Sequence, residues 1–578
     1  MGKCTKRRSA LKLAVVLAWI VTAAAPAFGL ISYDNSTDIG QFIGANTFYN
    51  NGYTGSGAFV ANIEAGYVWD GHVTLTNVTT HLPQDTSTKG DFDMHATEVG
   101  SAIAGQGSVV QARGIAYSAT LWTGAIATSW NSAGTGNYST SFNISASSFT
   151  VPYLAALING VNGQTADVIN SSYTSSAGES GFIAGAGQYQ YAVAMDSLIN
   201  SSGKLVVFSA GNLGPTTNTI GYPASGTNTF DVGALTSDTS SPEYGSIASF
   251  SSVSPSDFFV PSDASGSTGK MWTGVRARVD ITAPGTNLDL AYYGGATGGN
   301  IFGGPTRPDN DLDITNQAGT SFAAPIVAGG AALVVEVGKA LYSSDTHATD
   351  GRVLKAVLMN SADKPVGWNN GQSLVSNVVT TTQSLDYTYG AGMLNLSKAY
   401  AQYTSGTPDI SSLTGGSVQS TGWAYGQITH INGGTAKNDY TITGSLAAGS
   451  IMNATLDWYS DEKTDANGLN PSFGSFDNLD LRVYLVGASP TLVAQSDSTY
   501  NSAEELSFAL PSSGSYMVEV LETNYLWNFV SDTTTSYGLA WSVAVPEPTI
   551  ASVIILGSMT VLIRRRRVAA SIGSGLAA

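Results

Sequence analysis

The sequence predicts an α/β domain, a largely parallel sheet flanked by helices, followed by an all-β sandwich of jelly-roll-like character. Two observations carry this. From Ala58 to about Tyr400 short apolar runs alternate with helical patterns, the signature of βαβ units. After Thr404 the pattern changes to strict alternation of apolar and polar residues, as in Leu479, Leu481, Val483 and Leu485 or Tyr516, Val518 and Val520, which fits antiparallel strands half exposed on one face.

In chain order, Met1 to Gly29 reads as a signal peptide. Lys3, Lys6, Arg7 and Arg8 precede the apolar run Leu13 to Ala25, which closes on small residues and is shorter than the roughly 17 to 25 residues a spanning helix needs. Cys4, the only cysteine, leaves with that segment, so the remaining chain carries no disulfide and depends on its apolar cores. The expected units are 1–29 signal, 30–404 α/β domain, 405–544 sandwich, 545–567 membrane and sorting segment, and 568–578 tail.

Within the first domain, strands are expected at Ala58 to Ile63, Ala119 to Ala127, Ala166 to Asn170, Lys204 to Ser209, Thr229 to Ala234 and Val279 to Thr282. Helices are expected at Thr97 to Ala104, Val151 to Asn159, Tyr191 to Asn200, Ser321 to Leu341 and Gly351 to Met359. In the second domain the Asn/Asp/Gly-rich stretch Asp461 to Asp480 reads as a long loop, in which Asp477, Asn478 and Asp480 either ligate a structural Ca²⁺ or serve ordinary turn chemistry.

The formal charge of −17 understates the acidity of the body. Setting aside nine basic residues at the two ends, together with Glu547, leaves 15 basic and 40 acidic residues, a net −25. Such a surface repels nucleic acid and anionic lipid, so no nucleic-acid partner is expected.

Gly319-Thr320-Ser321-Phe322-Ala323-Ala324-Pro325 runs into an apolar stretch, setting a serine at the mouth of a buried helix. The N-H groups and dipole there favour negative charge. Acyl transfer by serine also needs a base, an acid to orient it, and an oxyanion donor. Among five histidines only His95 opens an amphipathic helix pattern; His72, His81, His347 and His430 read as solvated surface residues. Asn212 follows a buried strand, where an amide could donate to an oxyanion, and Glu64 ends the first strand with one carboxylate. Asp91 and Asp93 are rival acids in the loop before His95, and Glu98, one turn on, reads as a helix-surface or ion-pair residue.

The order acid, His, Asn, Ser resembles that of the subtilisin-like serine peptidases, or subtilases, over about 350 residues. Further matches are Gly114-Ile115-Ala116, Asp167-Val168-Ile169-Asn170-Ser171-Ser172, Ser209-Ala210-Gly211-Asn212, Gly221-Tyr222-Pro223-Ala224, Ala283-Pro284-Gly285 and Tyr389-Gly390-Ala391-Gly392. The resemblance implies Ser321 as nucleophile, His95 as general base and acid, Glu64 as the orienting acid and Asn212 as oxyanion donor. It also implies that the backbone at Gly124, Ala125 and Ile126 and at Ser172, Tyr173 and Thr174 pairs with an extended polypeptide substrate. The chain departs from the family in having Glu64 for Asp, Ala96 and Glu98 in place of the Gly and second His of the His motif, and Ile326 for the His that follows the serine motif's Pro. It also leaves little length before the first strand for a folding prodomain. A sedolisin-like carboxyl mechanism is disfavoured, since that group has Glu where His95 stands and Asp where Asn212 stands.

Val545-Pro546-Glu547-Pro548, the apolar run Thr549 to Ile563 and Arg564 to Arg567 resemble the PEP-CTERM sorting signal of Gram-negative bacteria. That implies transient membrane anchoring and a partner, an exosortase-like sorting transpeptidase. The whole reads as an exported serine endopeptidase of the cell surface; the other reading is a catalytically inactive relative that binds peptide or polysaccharide.

Overall fold

The computed structural model describes residues 38–107, 113–131, 139–175, 189–237, 244–295, 297–301, 313–405, 413–431 and 434–544. The expected signal peptide and PEP-CTERM-like segment lie outside these residues.

Seven parallel strands form the central sheet: β1 (Phe59–Glu64), β2 (Val78–His81), β3 (Thr120–Ala125), β4 (Val168–Ser171), β5 (Leu205–Ser209), β6 (Phe230–Thr236) and β7 (Ile281–Pro284). Their order is β7-β6-β5-β4-β1-β3-β2, and a short antiparallel strand, Ser246–Ile247, pairs with β6. Chain order reverses beside β1, leaving a crevice beyond the carboxyl ends of β1 and β4, where open α/β sheets present their sites.

Strand alternation assigns the two faces of the sheet. Val60, Val168, Val207 and Val232 join one core with Ala324, Val327 and Ala331 of the long helix α4 (Thr320–Leu341). Ala61, Ile63, Ile169 and Phe208 join another with Tyr153 of α2 (Ala146–Leu154) and Met195 and Leu198 of α3 (Tyr189–Ser202). Helix α1 (Met94–Ala104), which follows two short helices at Ile39–Phe42 and Asn46–Asn50, packs its Val99, Ala102 and Ile103 into the α4 core. Helix α4 is long and apolar enough to cross a membrane, but it is the buried central helix of this domain.

All six expected strands and five expected helices occur, with ends moved by a few residues; the second helix continues beyond Leu154 as a π-turn, Ala155–Asn159. The alternating pattern missed β2 and an antiparallel hairpin, Ser256–Pro261 with Gly269–Arg276.

Two further sheets share a core containing Tyr440, Leu456, Trp458, Phe476, Leu481, Val518 and Trp541. One has four antiparallel strands in the order Thr421–Thr429, Thr534–Ala544, Ile451–Trp458, Ala503–Ala509. The other has eight strands and is mixed rather than wholly antiparallel. Its parallel pairs arise because Val378–Thr381, from a hairpin of the first domain, pairs with Thr491–Ser496, and Gly415–Val418 pairs with Ala436–Ile442.

The long loop expected over Asp461 to Asp480 is corrected: Asp461–Lys463 and Ser472–Leu485 are strands, leaving a short connection. Asp477 accepts from Thr535 Oγ1 and Asp480 pairs with Arg482 at 3.0 Å. Turn-forming residues masked a strand whose apolar partners lie far away in sequence.

The sandwich docks on helix α5 (Gly351–Asn360). A Cβ at Gly538 would sit 2.2 Å from the Arg352 carbonyl oxygen, so only glycine permits this approach. At the same junction the buried Lys355 Nζ lies 3.1 Å from Asp457 of the sandwich and 3.4 Å from Asp280 of the first domain.

Candidate active site

One cavity of about 580 Å³ opens at the crevice; Glu64, His95, Ser172, Asn212 and Ser321 are among the residues that line it. Each comes from the end of a different element. Glu64 is the last residue of β1, His95 the second of α1, Ser172 follows β4, Asn212 follows β5, and Ser321 is the second residue of α4.

Glu64 is 1% exposed and uses both oxygens. Oε2 lies 3.4 Å from His95 Nδ1, and Oε1 accepts from the Ser172 backbone N-H at 2.6 Å. Burial alone would lower the His95 pKa. The bond and charge of Glu64, backed by Asp93 and Glu98, outweigh it and hold the imidazole up at about 9.

Ser321 Oγ donates to the Ser172 carbonyl at 3.2 Å, while Ser172 Oγ donates to the Ser321 carbonyl at 2.8 Å. Among the described residues no hydrogen bond joins Ser321 to His95. A buried amide chain supports Ser172: Asn170 Nδ2 donates to Ser172 Oγ and to Asn62 Oδ1, each at 3.1 Å, and Asn62 Nδ2 donates to the Ala96 carbonyl of α1. Ser172 thus touches both the acid and the hydroxyl. Asn62 and Asn170, polar residues inside otherwise apolar strands, were the signal in the sequence for this network.

Asn212 is held by its oxygen. Oδ1 accepts from the Thr320 N-H at 2.9 Å and from Thr320 Oγ1 at 2.8 Å. A backbone N-H can only donate, so this bond fixes the orientation of the amide, and among the described residues its NH₂ is free for an oxyanion. The preceding Gly211 has φ +100° and donates to Thr320 Oγ1 at 3.1 Å. A side chain there would be strained and would press on Ser252 and Thr174.

The structure separates the two stretches expected to pair with substrate. Ser172, Tyr173 and Thr174 line the cavity; Gly124, Ala125 and Ile126 are buried and do not. Gly124 and Ala125 pair with Ile63 and Glu64 of β1, and the Ile126 N-H donates to the Glu64 carbonyl at 3.1 Å, so on this side the backbone is committed to β1. The wall on that side is formed by Trp130 and Phe142.

Three readings of the acids and histidines also change. Glu98 is 2% exposed rather than a surface residue, and burial pushes its carboxyl up to about 8 despite the His95 charge. His72 is buried, with Nδ1 2.8 Å from Thr74 Oγ1. His430 pairs with the buried Glu522 at 2.8 Å. Of the rival acids, Asp91 accepts from Trp130 Nε1, while the buried Asp93 accepts from Asn300 Nδ2 at 3.0 Å and is pushed up by burial to about 6. Periodicity marked Glu98 as a polar helix position and Asp93 read as a loop acid, without either showing that packing encloses them.

The sequence profile described as the subtilase family, Peptidase S8, matches residues 70–392. Subtilisin NAT of Bacillus subtilis subsp. natto is 29% identical over 301 residues, 51% of this chain and 59% of that protein. The subtilisin of Bacillus pumilus is 28% identical over 301 residues, 51% of this chain and 82% of that protein. The chain thus spans 59% of the length of the first relative. Among solved structures, the prenylagaramide maturation protease PagA aligns with a TM-score of 0.41 and 21% identity, covering 63% of this chain and 99% of that one. With a family profile matched over more than half its length, this chain belongs to the subtilase family.

Proposed function

We propose that the protein is an exported serine endopeptidase working through a Glu64-His95-Ser321 triad. The observation that carries this reading is the 3.4 Å pairing of Glu64 with His95 in the cavity that also holds Ser321 at the N-terminus of α4. Neutral His95 takes the Ser321 proton as Oγ attacks a peptide carbonyl. The developing oxyanion meets the Asn212 NH₂ and the N-terminal N-H groups of α4. His95 then protonates the departing amine, and water repeats the sequence on the acyl-enzyme. Glu64 holds Nδ1 in place throughout. Ser321 must first rotate from the Ser172 carbonyl towards His95, and an extended substrate would run along Ser172 to Thr174. Residues 1–29 would direct export, and residues 545–567 would anchor the chain in the inner membrane of a Gram-negative cell until the sorting transpeptidase acts.

A surface binding protein with an idle triad is the second reading. It is favoured by glutamate in place of the family's aspartate and by the Ser321 hydroxyl bonding to Ser172 rather than His95. Casein hydrolysis with parallel fluorophosphonate labelling separates the two. A peptidase shows both, and Ser321→Ala abolishes both; an unreactive wild-type protein supports the binding reading.

A further inference from the structure

The cavity beside His95 holds more carboxyl groups than acyl transfer needs. Asp93 and Glu98 line it together with Glu64, and among the described residues no lysine or arginine lines it. Asp93 has one oxygen bonded to Asn300. Glu98 is 2% exposed, its Oε1 is fully enclosed, and among the described residues its carboxyl group accepts no hydrogen bond. The neighbouring polar side chains of α1 are satisfied: Thr97 Oγ1 donates to the Asp93 carbonyl and Ser101 Oγ to the Glu98 carbonyl. A buried carboxyl group without a donor is destabilising, while an alanine or valine at this position would match the other enclosed residues of the helix. An unsatisfied acceptor at a cavity wall is accounted for by a donor that arrives with a ligand.

We propose that Asp93 and Glu98 bind a cationic side chain, lysine or arginine, of the polypeptide lying in the cleft beside His95. This rests on the cleft being a peptide-binding site but not on Ser321 being reactive. The ammonium or guanidinium group supplies the donors Glu98 lacks, and the cavity has room for a long side chain. The pair also has a protonic signature. Burial keeps Glu98 largely protonated at neutral pH, with Asp93, His95 and, on β1, Glu64 as its charged neighbours. An entering cation favours the ionised form, so binding at pH 7 should release close to one proton.

The test uses the full chain with Ser321→Ala, so that bound peptides are not cut. A set of otherwise identical alanine-rich peptides carries one lysine, or one norleucine, at each position in turn. Affinity is read by calorimetry in two buffers of different ionisation enthalpy. The expected result is one position at which lysine binds roughly 10- to 100-fold more tightly than norleucine, with proton release. Glu98→Gln and Asp93→Asn, both near-isosteric, should each shrink that ratio, and Glu98→Gln should also remove the proton release from the step. Equal affinity for lysine and norleucine at every position overturns the proposal, as does a preference that survives in both variants. Hydrolysis by the wild-type protein is scored separately. An inert enzyme that keeps the lysine preference refutes the peptidase reading alone, whereas an active one without it refutes this proposal alone.

Discussion

The acid limb of the pH profile follows from the charge around one imidazole. His95 must be neutral to accept the Ser321 proton, yet it is held up at about 9, against an ordinary 6.5. At pH 7 only about 1% of the enzyme then carries a neutral base, so kcat/KM should be roughly one-hundredth of its alkaline plateau, rising tenfold per pH unit to a bend near 9. The perturbation that isolates the cause is Glu98→Gln, which removes one of the three acids holding His95 up and should move the bend downwards. Fluorophosphonate inactivation of wild type and variant, measured from about pH 6 to 10, reads this directly because labelling depends on the same base. A bend below about 7.5 in the wild type, or one unmoved in Glu98→Gln, would refute the electrostatic argument. Stability runs the other way. His95, Glu98 and Asp93 all have folded-state pKa values above their ordinary ones, so the native protein binds more protons than the unfolded chain. The His95 contribution is complete below about pH 6.5 and is lost as pH rises through about 9, so activity should rise as stability falls.

Three other outcomes are expected. Asn212→Ala should cut kcat by about 10²- to 10³-fold with little change in KM, as measured on a peptide substrate, because a single preorganised oxyanion donor is lost. Glu64→Asp withdraws the carboxylate by roughly 1.5 Å from both His95 and the Ser172 N-H. It should lower kcat/KM by about 10- to 100-fold and move the acid limb down; a gain in activity would instead favour the idle-triad reading. Lys355→Met leaves Asp457 buried without its cation, while Asp280 keeps Arg278 at 3.1 Å, and should destabilise the docked pair of domains by about 3–5 kcal/mol, measurable by urea unfolding.

The sequence by itself determined the order of elements and the identity of the chemical groups. Short apolar strands between helical patterns register burial on both faces of a parallel sheet, and that signal is local. Glu64, His95, Asn212 and Ser321 were legible because each stands next to such an element, at an end where a side chain reaches the crevice. Tertiary structure alone decided what surrounds them. Glu98 was read as a helix-surface or ion-pair residue because its helix pattern shows which positions are polar, but not that α1 would be covered on that side too. Ser172 became the link between acid and nucleophile through contacts 108 and 149 residues away in the chain. Gly124 to Ile126 lie beside β1 rather than on the cavity wall, a placement set by the pairing of Gly124 and Ala125 with Ile63 and Glu64. The alternation from Leu479 to Leu485 was legible as a strand, but its first half from Ser472 was hidden by polar residues, since cross-strand pairing with residues some forty positions away outweighs local turn propensity. Which groups are present is written along the chain; their burial, and with it their pKa values and partners, depends on which distant segments close over them.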